Sequence, residues 1–198
     1  MKDYIYLATI ARIAGACFNI KANEHAAKYL HNIDPTEYDS LFEEAQSLAL
    51  GSEGHTIDLK DLHSLIPIAS NIHKRAEEWN LGTNVFPISP LSLEKKKSFP
   101  LFQDAGSGTD VLIKQFEEEW GNMPFMPAKA MTENLLNLLF KYGSQIALPS
   151  PYNDVSLYDH CRVVAALIMC LFECKKSEEV VEEPFLLIGA DFSGIQNY

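Results

Sequence analysis

The chain contains no apolar run long enough to cross a bilayer, no C-x-x-C cysteine pair and comparatively few cations. Its longest uninterrupted apolar stretch, Val163 to Phe172, falls well short of the roughly 20 residues that a membrane helix needs. The N-terminal MKDYIYLATIARIAGACF breaks up its apolar residues with Lys2, Asp3 and Arg12, which is not the pattern of a secretory leader. Together these features predict a cytoplasmic protein without membrane association. The 16 Lys and Arg stand against 27 Asp and Glu, a formal net charge of -11. Such a balance repels phosphate backbones and argues against independent, non-specific nucleic-acid binding. The run Glu94 to Lys97, with its three adjacent lysines, reads as a solvated loop in this acidic setting.

Metal-ligand spacing is equally scarce. Cys17, Cys161, Cys170 and Cys174 form no C-x-x-C pair, which speaks against a zinc ribbon. They fall in apolar, helix-like stretches and read as buried, reduced thiols. His25, His31, His55, His63 and His73 make no H-x3-H or H-E-x-x-H spacing. His63 and His73 stand almost three helical turns apart, too far for one ion on a straight helix. These histidines read as members of solvated faces, and no metal site is predicted.

What the chain does have is helical periodicity and 47% hydrophobic residues, ample for a core. Residues 4 to 31 predict two helices broken near Asn23. Asp34-Pro35 opens the next, with Asp34 as cap and Pro35 at the first helical position, and Gly51 ends it. Asp58 to Trp79 reads as one long or kinked helix disturbed at Pro67. From Gly82 to Thr109 three prolines with Ser and Lys predict an irregular or strand-bearing crossing. Helices resume at Asp110 to Trp120 and at Met131 to Tyr142, with Phe116, Trp120, Phe125 and Phe140 as core. A last helix starts at the capping box Ser156-Leu-Tyr-Asp159 and runs to Cys174. Val163, Val164, Leu167, Ile168, Leu171 and Phe172 cover more than one of its faces, so it is expected among the most buried elements. Beyond the charged connector at 177 to 184, the run Phe185 to Gly189 reads as a buried strand without a partner, the opening of a further domain.

Two stretches carry a resemblance when taken together. Asp154-Val-Ser-Leu-Tyr-Asp-His-Cys-Arg162 and Gly189-Ala-Asp-Phe-Ser-Gly-Ile-Gln196 resemble, in order and separation, the paired D-x-S-L-Y-D-H-S-[KR] and G-D-I-S-G-I-Q-x-F motifs of the large subunit of type III-A CRISPR effector complexes. The middle segment SPLSLEKKKSFPLF is similar to that family's P-L-x-S-I-F segment, in weaker form. The resemblance implies a mainly α fold: a permuted HD-phosphohydrolase-type bundle over 1 to 176, an irregular insert at 82 to 109, the connector at 177 to 184, and the first strand of an α/β palm domain at 185 to 198.

In that family the first helix carries A-x-x-H-D-I-G-K, and the domain is a metal-dependent single-stranded DNA nuclease. The His and Asp are needed because an imidazole and a bridging carboxylate hold divalent ions that activate water. Aligned without gaps, Ala8-Thr-Ile-Ala-Arg-Ile-Ala-Gly15 puts Ala11 and Arg12 on the dyad. Neither side chain offers a lone pair to a metal. The nuclease is therefore expected to be dead and the domain structural. Asp159 and His160 match the family's Y-D-H and would be remnants of the pocket, or simply a cap and a core histidine.

Asp191, Ser193, Gly194 and Gln196 would form the palm strand and turn. There Asp191 orders the turn or contributes to a nucleotide pocket shared between palms. The family's Gly-Gly-Asp-Asp motif is not in the chain, so cyclic oligoadenylate synthesis from ATP, with its divalent metal, is expected only of a full-length protein. Other type III effector subunits, guide RNA and target RNA are the implied partners. Two rival readings remain open: an active nuclease rebuilt from His25 or His31 with Asp159 and His160, and an unrelated helical interaction module.

Overall fold

A computed structural model describes residues 2–18, 34–51, 63–65, 84–98, 101–102, 109–124, 126–148 and 154–176. Among them the chain is mainly helical. In chain order the elements are α1 (Lys2–Phe18), α2 (Pro35–Ala49), β1 (His63–Ser64), β2 (Asn84–Val85), α3 (Lys95–Ser98), β3 (Leu101–Phe102), α4 (Thr109–Gly121), α5 (Ala128–Gly143), β4 (Ile146–Ala147) and α6 (Leu157–Lys176).

Helix α1 is the centre of the bundle. Ile5, Leu7, Ala8, Ile10, Ala11, Ile13, Ala14, Cys17 and Phe18 are all buried, a width of apolar surface too great for one face and proper to a helix covered on several sides. It packs against α6 and α5, and touches α4. The expectation that α6 would be covered on more than one face is corrected. Val163 is 47% exposed and Leu167 only partly buried, while Leu157, Cys161, Val164, Ala165, Ile168, Leu171 and Phe172 form its buried stripe. Its outer face meets solvent because α1 and α2 both pack on the inner one.

The ends of α2 follow from local chemistry. The carboxylate of Asp34 accepts from the backbone amides of Thr36 at 2.8 Å and Glu37 at 3.3 Å, groups that a first helical turn otherwise leaves without partners. Pro35 takes the first position, where no amide is needed. At the other end Gly51 adopts φ 63°, the left-handed conformation that glycine accepts without strain. The buried face of Tyr38, Leu41, Phe42, Ala45 and Gln46 lies on α6.

Aromatic stacking joins α1 to α4 and α5. Phe18 of α1 stacks on Phe116 of α4 with centroids 4.1 Å apart, and Phe116 meets Tyr142 of α5 edge-on at 5.6 Å. Phe116 and Trp120 are core residues as expected. Phe140 is not, being 50% exposed, and Phe125 lies outside the described residues. Cys17 and Cys161 are buried, but Cys170 and Cys174 are only partly so, which corrects the expectation for that pair.

The segment read as a helix over 58 to 79 contains a strand instead. β1 pairs antiparallel with β4, His63 opposite Ala147 and Ser64 opposite Ile146; the rest of that segment, apart from Leu65, lies outside the described residues. Of the crossing at 82 to 109 the structure describes residues 84–98, 101–102 and 109, and these carry two short strands. β2 pairs antiparallel with β3, although the lysine run forms the turn α3 rather than a loop, with Lys97 reaching Glu94 at 2.8 Å. Buried Gln145 holds this crossing to the bundle, its amide donating to the Lys97 carbonyl at 2.9 Å.

Candidate functional site

The N-terminus of α6 is closed by Ser156 and Asp159. The Asp159 amide donates to Ser156 Oγ at 3.0 Å, and the Ser156 hydroxyl donates to Asp159 Oδ2 at 2.6 Å. The pair is a variant of the capping box in which the serine hydroxyl, not its amide, answers the acid. Asp159 is exposed and engaged in this cap. One residue on and about 100° round the helix, His160 is 98% buried by its 2% exposure. Its Nε2 is buried without a hydrogen-bond partner. Burial pushes its pKa down to about 4, so the ring is uncharged at neutral pH.

Opposite α6, Ala11 is 1% exposed and forms part of the core. Arg12, next to it, turns toward α2. Its guanidinium lies 4.0 Å from the centre of the Phe42 ring and 5.5 Å from that of Tyr38, and it forms an ion pair with Asp39. Stacking of a planar cation on aromatic faces adds to the ion pair without removing the charge. Behind it the Tyr38 hydroxyl donates to Thr9 Oγ1 at 3.3 Å, and Thr9 donates to the Ile5 carbonyl at 2.9 Å. Burial, partly offset by Thr9 and Arg12, pushes Tyr38 up to about 12. None of these α2 partners was evident from the sequence. The one hint was a lone arginine amid the apolar residues of α1.

Ala11 and Arg12 supply no donor to a metal ion, and Asp159 is tied to Ser156; among the described residues no three of His, Cys, Asp and Glu converge as a ligand set. Burial raises the thiols of Cys17 and Cys161 as well, which leaves them protonated and unreactive. His25, His31, His55 and His73 lie outside the described residues, as do Asp191, Ser193, Gly194, Gln196 and the strand expected at 185 to 189.

A second polar cluster joins α4 to α5. Glu119 takes the Lys141 ammonium and the Tyr142 hydroxyl, the latter at 2.7 Å. Burial acts to raise the Glu119 carboxyl, but hydrogen bonds from Lys141 and Tyr142 outweigh it and hold the group below its usual range. Open clefts of about 410 Å³ lie on either side, sharing Glu119, Asn122 and Lys141. Both are open to solvent, unlike an enclosed ligand pocket.

The chain is similar to a CRISPR-system protein. Over 123 residues it is 32% identical to the CRISPR system single-strand-specific deoxyribonuclease Cas10/Csm1 (subtype III-A) of Thermococcus onnurineus. The match covers 57% of this chain and 15% of the relative, so the chain spans a small part of Cas10/Csm1. The similarity supports a distant relationship to Cas10/Csm1 of type III-A systems. No protein-family model matches the chain, and no solved structure does. Among the described residues no helix is long and apolar enough to cross a membrane.

Proposed function

We propose that the chain is an N-terminal part of the large subunit of a type III-A CRISPR effector, and that its helical domain is a degenerate HD-type bundle with a structural role. The observation that carries this reading is the state of Arg12. At the position where the resemblance puts a catalytic Asp, a guanidinium is clasped between Asp39 and the rings of Phe42 and Tyr38. A residue held this way ties α1 to α2 by direct contact. The similarity to Cas10/Csm1 supports the family half of the proposal.

In the whole protein, palm domains would begin with the strand and turn at 185 to 198, which carry Asp191, Ser193, Gly194 and Gln196. They would use ATP and divalent metal to make cyclic oligoadenylates, and the domain would meet guide and target RNA only through the assembled complex.

Elemental analysis and a manganese-dependent cleavage assay on single-stranded DNA test the structural role. The expected result is no stoichiometric metal and no cutting. One observation favours the opposite reading, the unpartnered Nε2 of buried His160. Stoichiometric metal, together with cleavage abolished by His160→Ala, would establish an active nuclease.

A further inference from the structure

Where α5 passes the first turns of α6, the surface carries a small aromatic cluster. Phe140, 50% exposed, meets Tyr158 edge-on with centroids 5.1 Å apart. The guanidinium of Arg162 lies 5.3 Å from the centre of the same Tyr158 ring. Tyr6 of α1 adjoins them, raised by burial and by neighbours that include Tyr158, with Arg162 acting against the rise. Val163, 47% exposed, follows Arg162.

Arg162 is the unusual member. It is exposed, and among the described residues no carboxylate pairs with it. Asp159, three positions earlier on the helix, directs its carboxylate to Ser156 instead. In a chain of net charge -11, a guanidinium lying by an aromatic ring without a counter-ion has in-plane N–H groups available for a carboxylate.

We infer that this surface docks a protein segment presenting a carboxylate beside an apolar side chain. The carboxylate pairs with Arg162, and the apolar group covers Phe140. Arginine with aromatic rings is the composition of interface centres, where exclusion of water strengthens the ion pair. A phosphate strand is disfavoured because one cation does not offset the repulsion of an acidic chain. A second copy is disfavoured because each copy carries the same excess of negative charge.

The identity of the partner rests on the effector reading, so the test co-expresses the chain with the subunits of a type III-A effector from the same source. Assembly is measured by size-exclusion and by titration. Wild type is expected to assemble, Phe140→Ser and Arg162→Glu each to weaken assembly by about tenfold or more, and the exposed-site control Leu93→Ser to leave it unchanged. Melting temperatures verify folding, and Arg162→Glu decides if Phe140→Ser is unstable. Equal assembly by wild type and variants overturns the docking surface and leaves the effector reading intact. Failure of wild type to assemble overturns both. Binding of a labelled single-stranded oligonucleotide that is lost in Arg162→Glu, or a dimer of this chain lost in the same variant, overturns the inference in favour of that occupant.

Discussion

Arg12 on α1 has a ring beneath its guanidinium and a carboxylate at its edge, whereas His160 on α6 has a ring nitrogen buried with nothing to bond. The two helices pack directly on each other. Arg12 reaches the rim of the bundle, where about a third of its side chain remains in contact with solvent. His160 points inward and is neutral because nothing compensates a charge there. A polar side chain near a helix interface is thus kept either by partners or by giving up its ionisation, and the two modes respond differently to pH and substitution.

The largest expected effect lies with His160. Its pKa is about 4 in the folded chain against an ordinary 6.5 for histidine. Between those values the unfolded state binds the extra proton, so stability from this group is complete above about pH 6.5 and falls as pH drops toward 4. The difference amounts to about 3 kcal/mol. Denaturant melts from pH 7 to 4 should show this loss, and His160→Leu should remove it while costing little at pH 7, because no hydrogen bond to Nε2 is lost. A variant that loses several kcal/mol at pH 7 and keeps the acid dependence would show that the ring has a partner and that the contrast with Arg12 is mistaken.

Next in size is the clasp of Arg12. Arg12→Ala removes a partly desolvated cation–π contact together with a surface ion pair, an expected cost of about 1–2 kcal/mol. Arg12→Lys keeps the charge but loses the planar stack on Phe42, and should lose most of the same amount. Repeating the melts in high salt sharpens the point, since salt weakens an exposed ion pair more than a ring contact. If Arg12→Lys is as stable as wild type and salt abolishes the effect of Arg12→Ala, the clasp is only an ion pair.

The sequence made the ends of α2 and α6 legible because their caps are local. Asp34 with Pro35, and Ser156 with Asp159, lie within a few residues of the groups they satisfy. The same locality explains the failures. β1 exists only through pairing with β4 much later in the chain, and no periodicity within residues 58 to 79 reports a distant partner. Phe140 and Val163 satisfy an apolar pattern yet lie on the outer face, because a pattern gives the direction of a stripe more reliably than its width. For the candidate site, the capping of Asp159 and the lack of ligands at Ala11 and Arg12 could be read directly. The Arg12 clasp could not, since Asp39 stands 27 residues away on another helix.

The smallest effect is expected at the clasp between α4 and α5, which provides a control for the first two. Like Arg12, Lys141 lies near an aromatic ring, 5.0 Å from the centre of Tyr142. Here, however, the centre of the arrangement is the carboxylate of Glu119, which receives both the ammonium and the Tyr142 hydroxyl. Burial first, and then Glu119, raise Tyr142 well beyond its ordinary value, so the phenol remains a donor throughout the accessible range. Tyr142→Phe preserves the ring that meets Phe116 and deletes only that donor, for an expected cost of about 1 kcal/mol. Because the folded carboxyl lies below its usual 4.5, its contribution is present above that pH and is lost as pH falls through the lowered value. That window lies below most of the His160 window, so melts around pH 5 should report His160 while the Glu119 clasp remains intact. If Tyr142→Phe changes the pH 5 to 6.5 region as strongly as His160→Leu does, the acid response belongs to the α4–α5 contact rather than to His160.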